Sequence, residues 1–309
     1  MITIKRGIGQ MDGLAGTSDI EALMGRILQG DCLELMPKIP DHSIDMILCD
    51  PPYGITARNR WDEIIPIDKM WTEYKRILKP NGVAVLTSWG LFTAQLKLGA
   101  TVRYQYSMVW CKPNITNQLN AKIQPLRKHE DIIVFYDEQP TYNPQGLRVK
   151  DSVTKQGKTS TLNYGAQNRD QYVQDWEGYP TTIIRTKGKT TGRHPTEKPV
   201  DLFAYLVKTY TNPGDIVLDN AAGSFTTMEA CENNGRRWIC MDKEDQWIKV
   251  GQERLAEIKE RQKSLDQREG TIFSAEQERK AMWEEHEKEL EEKKKPLNKQ
   301  IDSLWNIEF

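Results

Sequence analysis

Asp50-Pro51-Pro52-Tyr53 is the densest concentration of chemistry in the chain. An aromatic amino group is a poor nucleophile because its lone pair is delocalised into the ring. A site that activates it must accept its N–H bonds while the nitrogen rehybridises. The carboxylate of Asp50 and the backbone carbonyl of Pro51 supply two such acceptors and aim the lone pair at a donor group. Pro51 and Pro52 stiffen the loop. Tyr53 offers a flat face on which a ring can stack. On residue types alone, a plain strand-ending turn stays open beside this reading.

A second constellation is Asp219-Asn220-Ala221-Ala222-Gly223-Ser224, running into a helical pattern. Small residues let backbone amides approach a ligand, and an acid at a strand end suits a ribose or a cationic amino group. Asp242 ends the next apolar run, where an acid commonly takes ribose hydroxyls. A tight turn followed by a surface acid is the alternative.

The elements that must position these groups follow from periodicity. Segment 44–50, IDMILCD, is a short apolar run ending on an acid, and the prolines after it cannot continue a central strand. Residues 68–78 place Met70, Tyr74, Ile77 and Leu78 on one helical face, and Pro80-Asn81-Gly82 then ends that helix. A strand is predicted over 82–89. Later come a strand over 215–219, a helix over 226–234, a strand over 237–242 and a helix from about Gln246. This alternation predicts an α/β fold with a doubly wound, mostly parallel sheet. Ligands bind such sheets beyond the carboxyl ends of the strands, where the loops after Asp50 and Asp219 fall.

Between 137 and 193 the rhythm breaks, and the chain becomes rich in Thr, Gly, Asn, Gln, Tyr and Lys. Residues 141–193 hold nine basic side chains against four acidic ones, although the whole chain carries a formal charge of −1. A basic insert on a neutral scaffold is what a local phosphate-binding surface looks like, and a solvated loop is the bland alternative. The expected organisation is a lead-in over 1–25, halves of one domain over 26–136 and 194–262, an insert over 137–193, and a charged helical tail over 263–309. Ser274 and Gln277 are spaced as a capping box for that tail helix, and Pro296 stops it.

No apolar run approaches the roughly 18 residues that would span a bilayer, so no membrane partner is expected. The first residues lack an apolar signal core, which leads us to expect a cytoplasmic protein. Five cysteines form an odd set without CxxC spacing, which suits reduced thiols and predicts neither disulfides nor a metal site.

Taken in order, the motifs resemble the beta group of DNA amino-methyltransferases, in which the catalytic half precedes a target-recognition region and the S-adenosylmethionine (SAM)-binding half follows it. The order here is Gly30-Asp31-Cys32, IDMILCDPPYG, the basic insert, HPTEKP at 194–199, DIVLDNAAGSFTT at 215–227 and RRWICMD at 236–242. The resemblance covers residues 26–136 and 194–262. It implies the fold of SAM-dependent methyltransferases, with the insert as target-recognition region, and SAM as cofactor. It also implies double-stranded DNA as partner, with a target base that leaves the duplex to reach Tyr53. A homodimer and a separate restriction endonuclease are further partners the resemblance allows.

By position, Asp50, Pro51, Pro52 and Tyr53 would be catalytic, and Asp31 with Cys32 would hold the adenine moiety of SAM. Asp219, Ala221, Gly223, Ser224 and Thr226 would line its methionine and ribose portions, and Asp242 would take the ribose. His194 and Lys198 would sit near the methionine carboxylate. Trp110-Cys111-Lys112-Pro113-Asn114 and His129-Glu130 resemble the strands and loop bordering the target base. An aspartate in the Pro-Pro-Tyr motif leans towards N6 of adenine, with N4 of cytosine as the alternative and a decayed, DNA-binding homologue as the third reading. Where the family usually has Asp-Pro-Phe-x-Gly-Ser-Gly-Thr-Thr, this chain has Asn220, Ala221 and Phe225. Phe225 replaces the second glycine and adds bulk where the backbone meets the cofactor; it could point outward or weaken SAM binding.

Overall fold

The computed structural model describes residues 20–55, 62–156, 160–161, 165–166, 172–188 and 190–268, together with isolated positions between 277 and 288; over 151–174 it describes the backbone alone. The strands and helices in chain order are β1 (Arg26–Gln29), α1 (Cys32–Leu35), β2 (Ile44–Cys49), α2 (Ile67–Ile77), β3 (Leu78–Ser88), α3 (Leu91–Gly99), β4 (Tyr104–Thr116) and β5 (Arg127–Phe135). There follow β6 (Arg148–Gln156), β7 (Ser160–Thr161), β8 (Gly165–Ala166), β9 (Tyr172–Glu177), β10 (Ile183–Arg185), α4 (Val200–Tyr210), β11 (Ile216–Asp219), α5 (Thr226–Glu232) and β12 (Arg237–Asp242). A further helix occupies 245–268.

Eight strands form one sheet in the order β1-β12-β11-β2-β3-β5-β4-β10. Only β5 runs against its two neighbours, so the sheet is mostly parallel, as expected. All of β11 is buried, and β2 is buried except at Asp45. Strands covered on both faces by helices read as continuous apolar runs, which is why these two were visible in the sequence. Asp45 is accommodated because it accepts from Lys79 at 2.6 Å and from the backbone N–H of Ile216 at 2.9 Å. Helix α2 turns Met70, Trp71, Tyr74 and Ile77 into the core. Trp71 meets the Phe135 ring edge-on at 4.6 Å.

Two expectations shift. Strand β3 begins at Leu78, because this side chain is buried and pairs with Ile44, so Pro80-Asn81-Gly82 lies inside the strand, with Pro80 and Asn81 exposed and Gly82 buried. The stretch 137–193 divides: β6 and β9 form their own antiparallel pair, whereas β10 joins the large sheet beside β4, with Ile184 buried against it. The capping box at Ser274 falls outside the described residues. Met1–Leu255 and Ala256–Phe309 are separate compact units. No helix among the described residues is long and apolar enough to cross a membrane.

Candidate active site

The parallel strands β1, β12, β11, β2 and β3 bring their carboxyl ends to one rim of the sheet. Asp50 follows β2 at the centre of that rim. Its Oδ1 accepts from the Tyr53 hydroxyl at 2.8 Å and from the Thr87 hydroxyl of β3, and its Oδ2 accepts from Lys198 Nζ at 2.6 Å. Lys198 also reaches Glu130 Oε2 at 3.2 Å, and Lys112 Nζ reaches Glu130 Oε1 at 2.9 Å. The cluster thus alternates two carboxylates with two ammonium groups. Burial works to lower the Lys198 pKa, but Asp50 and Glu130 outweigh it and hold this group charged above the usual lysine value. Burial likewise opposes ionisation of Glu130, and Lys198 with Lys112 reverses the balance, so its pKa lies below the ordinary range. Removing either partner of such a pair would strand a buried charge.

The turn carrying Tyr53 is pinned from an unexpected place. The backbone N–H groups of Tyr53 and Gly54 both donate to Asp62 Oδ1, at 2.9 and 3.0 Å. Gly54 has φ of +69°, a conformation that favours glycine. The Tyr53 ring lies 5.5 Å from Phe92 in a stacked arrangement, with the Lys198 ammonium 5.6 Å from its centroid. Burial first, then the charges of Asp50 and Glu130, push its phenol well above the ordinary tyrosine pKa.

Lys198 owes its position to its neighbour. Glu197 accepts from the Thr191 hydroxyl and from the backbone N–H groups of Gly192 and Arg193, and it pairs with fully buried Arg254 at 3.1 Å. Pro199 then caps α4, and the Thr226 hydroxyl donates to the Lys198 carbonyl at 3.2 Å.

A second group lines the adjoining rim. Asp31, Asp242 and Asp219 stand at the ends of three successive strands, β1, β12 and β11. Asp242 accepts from the backbone N–H groups of Gly223 and Glu244, both at 2.9 Å, and burial raises its pKa. Asp219 accepts from the Thr227 hydroxyl at 2.5 Å and the Ala221 N–H at 3.2 Å; burial pushes its pKa up to about 7. Asp31 caps α1 by accepting from the Leu33 N–H at 2.8 Å, and Cys32 is buried beside Asn220. His194 packs on Trp247 at 4.1 Å and faces Gly223; burial lowers its pKa, which keeps it neutral. The Ser224 and Thr226 hydroxyls are buried and bond to each other at 3.0 Å, so these side chains brace the turn from within.

The structure therefore groups Asp50, Pro51, Pro52, Tyr53 and Lys198 at one centre and the remaining predicted residues at the next. Lys198, expected with the second group, has its ammonium in the first. Thr87, Lys112, Glu130 and Asp62 complete the first centre. The Lys112 and Glu130 segments stood out as strands bordering the site, but neither residue carried a role of its own. The departures from the family pattern also have places. Asn220 accepts from the Tyr74 hydroxyl at 2.6 Å. Phe225 does not point outward. It is fully buried at φ +59°, and its ring lies where a Cβ on Gly251 would come within 2.6 Å.

The sequence that builds the acid-Pro-Pro-Tyr centre and the strands ending on Asp219 and Asp242 falls within a match to a known family. The pattern of the N6/N4 DNA methylases fits residues 44–253. This chain belongs to the DNA methylase family. The methylase is 28% identical over 246 residues to the DNA adenine methyltransferase YhdJ of Escherichia coli K12, covering 74% of this chain and 82% of that protein. Its fold is shared by the M1.HpyAVI–SAM complex, with TM-score 0.51 and 21% identity over 74% of this chain and 98% of the other. The cytosine-N4-specific PvuII DNA methyltransferase shares it too, with TM-score 0.53 and 16% identity over 76% of this chain and 91% of the other.

Proposed function

We propose that the methylase uses SAM to methylate N6 of adenine in double-stranded DNA. The observation that carries this reading is Asp50, an aspartate at the head of the Pro-Pro-Tyr turn, held at the centre of the rim by Thr87, Tyr53 and Lys198. YhdJ, which is named an adenine methyltransferase, supports the choice of base. The second group fits SAM, whose overall charge is positive. Three neighbouring strand ends each present an acid, and residues 30–32 and 219–226 contain no basic side chain. Asp31 and Cys32 would hold its adenine, Asp219, Ala221 and Gly223 its methionine and ribose, and Asp242 its ribose hydroxyls, with His194 near the methionine carboxylate and Ser224 and Thr226 bracing the turn.

When bound, SAM supplies an electrophilic methyl group. The chain's own residues prepare the nucleophile. Asp50 and the Pro51 carbonyl accept the two amino N–H bonds of a base stacked on Tyr53, which makes the nitrogen lone pair available. Pro52 keeps that carbonyl in place. Lys198 balances the charge of Asp50 and fixes its orientation, and Asp50 is the nearest base for the proton that the alkylated nitrogen must lose. Expression in a methylation-free host followed by modified-base sequencing of its DNA tests the reading. N6-methyladenine at one short motif is expected. N4-methylcytosine would move the target to cytosine, and unmodified DNA from cells holding soluble protein would overturn the assignment of activity.

A further inference from the structure

The connection between β4 and β5 leaves directly from the Asp50 cluster, because Lys112 on one strand and Glu130 on the other are ion-paired within it. Across the sheet it lies beyond β3, on the opposite side of β2 from the acid-tipped strands β11, β12 and β1. A base bound for Asp50 is therefore flanked by SAM on one side and by this hairpin on the other.

Its composition differs from that of the chain as a whole. Residues 111–128 include Lys112, Lys122, Arg127 and Lys128 and no acidic residue. The hairpin is anchored at its base: the Arg127 guanidinium lies 4.3 Å from the Trp89 ring centroid, and Trp89 meets His129 edge-on at 4.8 Å. Its tip is shaped by its own amides, with Gln118 donating to the Ile115 carbonyl and Asn120 to the Asn117 side chain, both at 2.8 Å. Yet this hydrogen-bonded tip holds Leu119 fully exposed and Ile123 80% exposed. Apolar side chains carried on a cationic, acid-free projection suit a polyanion whose interior is apolar, which describes stacked duplex DNA. A second copy of the chain is a poor occupant, since two such surfaces would repel each other.

We propose that residues 112–128 form a DNA-contacting wedge, with Lys122 and Lys128 on phosphates and Leu119 with Ile123 entering the base stack at the step the target base vacates. The inference rests on the proposed base extrusion. Apolar insertion offsets the few kcal/mol that unstacking costs, so the wedge acts on the opening of the duplex.

The test uses the full chain, L119S/I123S and K122A/K128A, with SAM affinity as a check that each variant is folded. Methyl transfer is followed on duplex DNA from a methylation-free host, and binding on a 30-bp duplex at several salt concentrations. K122A/K128A should flatten the salt slope of log affinity by about 2, one phosphate contact per lysine. L119S/I123S should lose about tenfold or more in kcat/KM on duplex DNA while SAM affinity stays within about twofold, the cost of forgoing insertion at one step. Unchanged slopes and rates in both variants would overturn the wedge. So would an L119S/I123S variant that turns a dimer into a monomer with unaltered DNA binding, which would mark the patch as a contact between copies. Failure of the wild-type chain to methylate any DNA would instead overturn the functional reading, with the salt slopes still deciding whether the hairpin meets DNA.

Discussion

Asp50 is the residue on which the proposed chemistry turns, and its surroundings make separate losses expected for separate substitutions. Asp50→Ala should lower kcat by at least about 10³-fold with duplex affinity nearly unchanged, as measured by radiolabelled methyl transfer and by anisotropy. Turnover near the wild-type rate would remove Asp50 from the mechanism. Glu130 does not touch the base in this scheme; it positions Lys198, which it meets at 3.2 Å. Glu130→Gln should cut kcat about tenfold with KM for DNA little changed. Because Glu130 is one of two carboxylates that raise the Lys198 pKa, its loss should also start the alkaline fall of the pH–rate profile at lower pH. Glu130→Asp should recover part of both effects, which a general folding defect would not. Asp219 sets a different dependence. Burial raises its pKa to about 7, so it is largely neutral at mildly acidic pH and ionises as pH rises towards neutrality. If its charge helps hold the cationic cofactor, calorimetric SAM affinity should increase between about pH 5.5 and about pH 7, and Asp219→Asn should flatten that rise. Asp50 and Asp219 were legible because each ends an apolar run. Thr87, Glu130 and Asp62 were not, since their roles depend on strands and loops meeting only after the sheet has formed.

Among the elements, the turn between β11 and α5 shows how a departure from family pattern is absorbed. Phe225 occupies a left-handed position that a glycine would take without strain, and its buried ring fills the space left by Gly251. Replacing a helical glycine with alanine ordinarily gains up to about 1 kcal/mol from propensity. At Gly251 the added Cβ would lie 2.6 Å from the Phe225 ring. Overpacking of about 1–3 kcal/mol should therefore win, and Gly251→Ala should lower the urea midpoint. A raised midpoint would show that the turn relaxes more easily than the packing implies. The same scale explains what could be read beforehand. The buried parallel strands announced themselves as apolar runs, and α2 by its periodic face. Strand β10 did not, because three residues with one buried side chain leave almost no pattern.

For the whole molecule, net charge conceals the partner: a chain of −1 carries its basic excess in residues 141–193, with a further acid-free stretch at 111–128. Affinity for duplex DNA should consequently fall by about 10²–10³ between 50 and 200 mM salt if about five phosphates are neutralised. A nearly flat dependence would argue that the basic residues face away from DNA. The strand order has another consequence, in the time domain. Strand β1 pairs with β12 and β2 with β11, so one half of the sheet, from the β1 edge to its centre at β2, joins residues 26–49 to residues 216–242. Closing loops of that length is slow, and no nascent chain lacking its last third can complete the sheet's centre. Synthesis interrupted before β11 would release a fragment in which β1 has no strand to pair with and the rim lacks Asp219 and Asp242, so the appearance of methylating activity would be all-or-none for each chain made.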